Sequence, residues 1–166
     1  MFETGDIADA TATLAACRQK HLRLVTAESC TGGLIAALLT DVAGSSDVFE
    51  RGFVTYSNPA KTEMLGVDEH ILVRWGAVSE ETAIAMAEGA LRQSSADIAV
   101  SVTGVAGPGG GTVVKPVGLV HLACARHGLP LIHRQLMLTA SLRSEVRAAS
   151  VRAALSMIRY QAAVSV

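Results

Sequence analysis

Residues 22–43 read "LRLVTAESCTGGLIAALLTDVA", and the way this stretch divides decides the fold. "LRLVTA" is a short, mostly apolar run that predicts a buried strand, and "GGLIAALLTDVA" is rich in Ala and Leu, which predicts a helix. Between them, "ESCTGG" leaves room only for a sharp turn, with Gly32 and Gly33 free to adopt backbone conformations closed to other residues. Strand, turn and helix in immediate succession form the opening unit of an alternating α/β chain. The turn also sets Ser29, Cys30 and Thr31 side by side. Each can act as a nucleophile, and Ser29 or Thr31 can equally serve as a helix cap, so the stretch alone does not choose between them.

Outward from this unit the alternation continues. Ile7, Thr11, Leu14, Ala15 and Arg18 recur at helical spacing, which predicts an amphipathic helix over 6–20. Downstream, "SSDVFERGFVTYS" reads as a loop and then a strand, ending at "NPAK", where Pro59 opens a short helix. "SEETAIAMAEGALRQ" predicts a helix with Ser79 at its N-cap and two glutamates in the first turn. "ADIAVSVTG" alternates as a strand does, and the glycine- and proline-rich 105–118 segment suits only a loop. "LVHLACA" and "LPLIHRQLML" read as two strands joined around His127-Gly128. A last helix covers 141–160, with apolar residues at 142, 146, 151, 154, 155 and 158. The pattern predicts one domain over 1–166, a three-layer α/β/α sandwich with a mixed, mostly parallel sheet.

Composition narrows the function. Half of the 166 residues are hydrophobic and 17% are charged, which excludes a disordered chain. A net charge of -1 with no basic run argues against nucleic acid as a partner. No apolar run reaches the roughly 20 residues of a membrane span, and the acidic start "MFETGDIADA" does not resemble a signal peptide. Cys17, Cys30 and Cys124 are odd in number and widely spaced, as free thiols in a reducing cytoplasm are. His21, His70, His121, His127 and His133 form no metal-binding motif, so no metal and no cofactor are expected; His121 and His133 fall in strands as structural residues.

Three loops each follow an expected strand: "ESCTGG", "SNPAK" and "GVAGPGGG". In open α/β sheets ligands bind beyond the carboxyl ends of parallel strands, so the three loops either share one site or are three ordinary turns. At the first, backbone N–H groups of a helix start can hold an oxyanion or phosphate. At the second, Lys61 is one of only three lysines beside eleven arginines. A lysine in an apolar pocket becomes a base, and Ser–Lys pairs are a known nucleophile–base combination; a solvated surface lysine is the plain alternative. Tyr56 stands five positions before Lys61 across a proline, not on one helical face. The third loop has five glycines between Gly104 and Val114 but matches neither phosphate-binding glycine motif, so it covers a ligand or merely connects.

Taken together, "TAESCTGGLIAALLTDVAGSSDVFERGFVTYSNPAKTEMLGV", "GAVSEETA" and "SVTGVAGPGGG…KPVG" closely resemble the C-terminal domain of the competence/damage-inducible protein CinA, a family that also occurs as stand-alone nicotinamide-nucleotide amidases. The resemblance runs from about Leu22 to Val120, with an echo in the last helix. It implies a sheet with one strand antiparallel to the rest, and metal-free hydrolysis of the carboxamide of nicotinamide mononucleotide to nicotinic acid mononucleotide and ammonia, in pyridine-nucleotide salvage. By the same resemblance Ser29 is the nucleophile, Lys61 its base and Tyr56 an assistant that orients Lys61 or relays its proton. Backbone N–H groups from Cys30 through Thr31 and Gly32 to Gly33 would hold the oxyanion. Thr103, Gly104 and Gly107 would meet the nucleotide, and Arg51 and Lys115 are candidates for its phosphate. A homo-oligomer is compatible with the family. Two departures stand out: "SLR" at 141–143 aligns with the family's Gly-Asp-Arg, and Gly109 stands where a polar or acidic residue is usual. An amidase for another small amide and a catalytically silent nucleotide-binding module remain the alternatives.

Overall fold

The computed structural model describes residues 2–139 and 142–165. Helix α1 (Thr4–Gln19) leads into β1 (Leu24–Glu28), α2 (Leu34–Thr40) and, after a single helical turn at 45–47, β2 (Phe49–Val54). Three helices follow, α3 (Asn58–Leu65), α4 (Glu69–Trp75) and α5 (Glu80–Arg92), and then β3 (Ile98–Gly104), β4 (Leu119–Arg126), β5 (Ile132–Met137) and α6 (Arg143–Ala163). The strands form one sheet in the order β2-β1-β3-β4-β5. Strand β1 lies parallel to both β2 and β3, whereas β4 runs antiparallel to β3 and β5. The expected mixed sheet with one reversed strand is therefore the observed one.

Side-chain size sorts the two faces. Leu24, Ile98, Val100, Val102, Val120 and Leu122 pack against α1, α2 and α6. The opposite face presents Val25, Ala27, Ala99, Ala123 and Ala125 to α5 and the segments before it. Both faces of β3 are buried, so its alternation is one of large against small rather than apolar against polar. Small residues on both partners bring α5 close to the sheet, and Ser101 Oγ donates to the Ala83 carbonyl at 2.5 Å. The edge strands β2 and β5 are half exposed and carry charges such as Arg51 and Arg134, which discourages pairing with a further strand.

Two expectations change. The buried stripe of α1 is Ala10, Thr13, Leu14 and Cys17, while Thr11 and Arg18 face solvent. Helix α4 has no counterpart among the expected elements. It has only seven residues, and its start is fixed locally by Asp68, whose side chain accepts from the His70 N–H at 2.8 Å.

Because β1, β2 and β3 are parallel, their carboxyl ends meet at one edge. The chain leaves β1 toward α2 on one face and leaves β2 toward α3 on the other, so a crevice opens between them.

Candidate active site

The Ser29 turn hangs on the end of β1 by backbone bonds to both neighbours. Ser29 N–H donates to the Val102 carbonyl of β3 at 2.9 Å, and Thr55 N–H, just past β2, donates to the Glu28 carbonyl at 2.8 Å. Gly32 and Gly33 then take positive φ of 60° and 94°, and Gly32 N–H closes the turn on the Ser29 carbonyl at 3.0 Å.

Glu28, fully buried, supports this turn from beneath. Its carboxylate accepts from the N–H groups of Gly33 (3.1 Å), Ile35 (3.1 Å) and Ala36 (2.9 Å). A strand-end carboxylate thus satisfies the orphan donors of α2 and complements its dipole. The expectation that Gly32 and Gly33 offer N–H groups to a ligand is corrected accordingly, because both donors are taken. Among the described residues, the N–H groups of Cys30 and Thr31 have no backbone or side-chain acceptor.

Lys61 arrives from the other side of the crevice. Ser57 caps α3 by accepting from Ala60 N–H at 3.2 Å, Pro59 sits in the first turn, and Lys61 projects inward one position later than Ala60. Only 1% of the lysine is exposed. Its Nζ donates to Ser29 Oγ at 3.0 Å and to the Thr55 carbonyl at 2.8 Å. Among the described residues no carboxylate pairs with it. Burial therefore pulls its pKa below the usual lysine range, against a small opposing influence from Cys30. Cys30 is itself buried, and desolvation pushes its thiol up to about 11, so it stays a protonated neighbour rather than a thiolate.

Ser29, Lys61, Tyr56, Thr103 and Gly104 line one cavity of about 220 Å³, together with Val78 and Arg143. The three strand-end loops do meet there. Thr103 Oγ1 donates to the Ala77 carbonyl at 2.6 Å, tying together two residues that line the cavity. Gly104 is required by packing, since a Cβ there would stand 2.8 Å from Val120 Cγ2. The carbonyl of Gly107 faces the site only through Arg143, which donates to it at 2.8 Å.

Other expected contacts move. Tyr56 lines the cavity, but its exposed hydroxyl accepts from Arg143 at 2.7 Å; the Thr55 carbonyl, not Tyr56, orients the lysine. Thr31 is fully buried and its hydroxyl has no hydrogen-bond partner, so that side chain cannot touch a ligand. Arg51 is corrected: it pairs with Glu50 at 2.7 Å and donates to the Gln93 carbonyl at 2.9 Å, at the end of α5 and away from the crevice. Lys115 is corrected too. Its amine donates to the Trp75 carbonyl, and it lines a neighbouring concavity instead.

Three contributors were not among the expected site residues. Glu28 is the one acid of β1, and nothing in the sequence marked it as a support for the turn. Arg143 lay within the aligned "SLR" triplet, of which Ser141 falls outside the described residues; Leu142 is exposed, while the arginine reaches the mouth of the cavity. Arg147 donates to the Thr31 carbonyl at 2.8 Å, a contact 116 positions apart with no local signature. Among the described residues, no three His, Cys, Asp or Glu side chains gather as a metal site, and no helix is long and apolar enough to cross a membrane.

Similarity to known proteins extends over most of the chain. The family model described as CinA C-terminal domain matches residues 7–162. A "CinA-like protein" of Akkermansia muciniphila is 64% identical over 110 residues, covering 66% of this chain and 27% of that protein. A "putative competence-damage inducible protein" of Acetivibrio thermocellus is 52% identical over 139 residues, 84% of this chain and 33% of that protein. The chain thus spans about a quarter to a third of the curated relatives it matches. Among solved structures, the competence/damage inducible protein CihA from Agrobacterium tumefaciens superimposes with a TM-score of 0.93 at 49% identity, covering 95% of this chain and 96% of that one. A CinA superfamily protein from Klebsiella pneumoniae gives 0.90 at 34% identity, with 95% and 98% covered.

Proposed function

The chain belongs to the CinA C-terminal domain family, and from that premise we propose that it is a serine amidase that releases ammonia from the carboxamide of nicotinamide mononucleotide, leaving nicotinic acid mononucleotide. The observation that carries this reading is the 3.0 Å bond between a fully buried lysine amine and Ser29 Oγ. A solvated structural lysine has no reason to be driven into a crevice without a carboxylate, whereas a general base gains from that desolvation.

In the proposed reaction neutral Lys61 takes the Ser29 proton as Oγ attacks the carboxamide carbon. The resulting oxyanion is held by the N–H group of Cys30, which lines the cavity; one such donor is worth roughly 10²–10³ in rate. Protonated Lys61 then gives its proton to the departing nitrogen, and ammonia leaves. A water molecule, deprotonated by the same lysine, attacks the acyl-enzyme, and the acid departs with Ser29 restored. Arg143, at the mouth of the cavity, is the exposed cation nearest to an anionic part of the substrate.

The test is ammonia release from nicotinamide mononucleotide by the parent protein, Ser29→Ala and Cys30→Ala. Activity that disappears in Ser29→Ala and persists in Cys30→Ala supports the amidase and its nucleophile. No ammonia from folded parent protein removes the reading.

A further inference from the structure

The Ser29 cavity, at about 220 Å³, is smaller than pockets that enclose a whole ligand of nucleotide size. It suits the carboxamide-bearing ring and leaves the rest of the molecule outside. Beside it lies a concavity of about 330 Å³. The two share Val78 as a wall, and Thr103 on one side is the cross-strand partner of His121 on the other.

We propose that this second concavity is the subsite for the hydroxyl-bearing sugar of the substrate, with His121 as its principal hydrogen-bond acceptor. The inference rests on the amidase reading for the identity of the sugar.

The polar groups of the concavity are arranged as a relay. His133 Nδ1 lies 3.5 Å from Glu80 Oε2, and His133 Nε2 lies 3.0 Å from His121 Nδ1. The two rings stack with centroids 5.2 Å apart and planes 19° from parallel. A carboxylate beside Nδ1 draws the His133 proton to that nitrogen. His133 Nε2 then accepts from His121 Nδ1–H, which leaves Nε2 of His121 with a lone pair. Among the described residues nothing donates to that nitrogen, and it is not one of the buried atoms sealed without a partner. Burial of the ring lowers the His121 pKa, which favours its neutral form.

The charge of the concavity selects the ligand. Glu80 and Glu81 line it against a single cation, Lys115, whose amine is engaged by the Trp75 carbonyl. A phosphate would be repelled here. Neutral hydroxyls would donate to His121 Nε2, to Glu81 and to the amide oxygen of Gln135, which stands directly opposite His121 in the sheet.

The experiment uses Ser29→Ala protein to prevent turnover and compares, by calorimetry, nicotinamide riboside with its 2′,3′-dideoxy analogue. We expect the free diol to bind about three- to tenfold more tightly. In Ser29→Ala/His121→Phe and in Ser29→Ala/Gln135→Leu that preference shrinks toward parity. Gln135 is exposed on edge strand β5, so its variant keeps the fold even if the His121 variant does not. Absence of riboside binding, equal binding of the two ligands, or a preference that survives both variants overturns the subsite. Ammonia release by the parent protein is read alongside. No ammonia together with a His121-dependent diol preference removes the amidase and keeps the subsite; ammonia with an indifferent diol preference does the reverse.

Discussion

At the scale of single residues, Lys61 shows how position sets chemistry. Its amine has two hydrogen-bond acceptors and, among the described residues, no carboxylate partner, so burial lowers its pKa and shifts the balance toward the neutral form. A folded pKa below the ordinary value of about 10.4 has two consequences of opposite use. On the proposed amidase reading, kcat/KM rises with pH as Lys61 loses its proton and levels off above its lowered value. A pH–rate profile of ammonia release should show this ascending limb below the ordinary lysine range, and Lys61→Arg, which cannot deprotonate, should be inactive at every pH. For stability, the unfolded chain binds a proton that the folded chain does not in the window between the two values. Stability therefore rises with pH across that window and is lost as pH falls toward the folded value. Denaturation of the parent and of Lys61→Met across pH should show the parent alone losing stability on that account. The serine and lysine were legible because they stood in quotable motifs. The fates of Arg51 and Lys115 were not, since the partner of a cation can be any carbonyl. For Lys115 that carbonyl lies 40 positions away.

At the scale of elements, the joint between β1 and α2 is secured by one side chain. Glu28→Ala removes an acceptor from three N–H groups at once, one buried and two partly buried. We expect a loss of about 3 kcal/mol in chemical denaturation, with ammonia release falling further than stability accounts for because Ser29 shifts. Glu28→Gln, which keeps the shape and one acceptor oxygen, should lie between. A second close joint is α5 against the end of α3, where a Cβ on Gly89 would collide with the Leu65 carbonyl. Gly89→Ala gains helix propensity yet should lower stability by about 1–3 kcal/mol, which a thermal melt would reveal. Neither joint was readable in advance. A glutamate before "SCTGG" looks like any polar residue leaving a strand, and Gly89 looks like a mild flaw in a helix. Helix α4 escaped because its seven residues mix charged and β-branched side chains and lack the Ala- and Leu-rich run that marked the equally short α2.

For the whole molecule, the order β2-β1-β3-β4-β5 places β1 and β3 at the centre, covered on both faces, and leaves β2 and β5 at the edges. Hydrogen exchange should find the slowest amides in β1, β3 and β4 and much faster exchange in β2 and β5. Uniform protection across all five strands would contradict this picture. The layered architecture was readable because helical and strand periods alternate along the chain, and the reversed strand because a short turn at His127-Gly128 can only reverse direction. What periodicity could not give was which large and small residues share a face, a property of the assembled sheet.

The short connection from β2 to α3 works as a ruler. Only Thr55, Tyr56 and Ser57 separate the end of the strand from the helix that carries Lys61. One residue added there would rotate every later position of α3 by about 100°, swinging the amine out of line with Ser29 and Leu65 out of the core it shares with Val25 and Ala27. Insertions in the exposed 109–114 segment, by contrast, would lengthen a loop and leave the reacting pair aligned. Length variation should therefore be lethal to turnover at the first place and tolerated at the second, though both read as loops between regular elements.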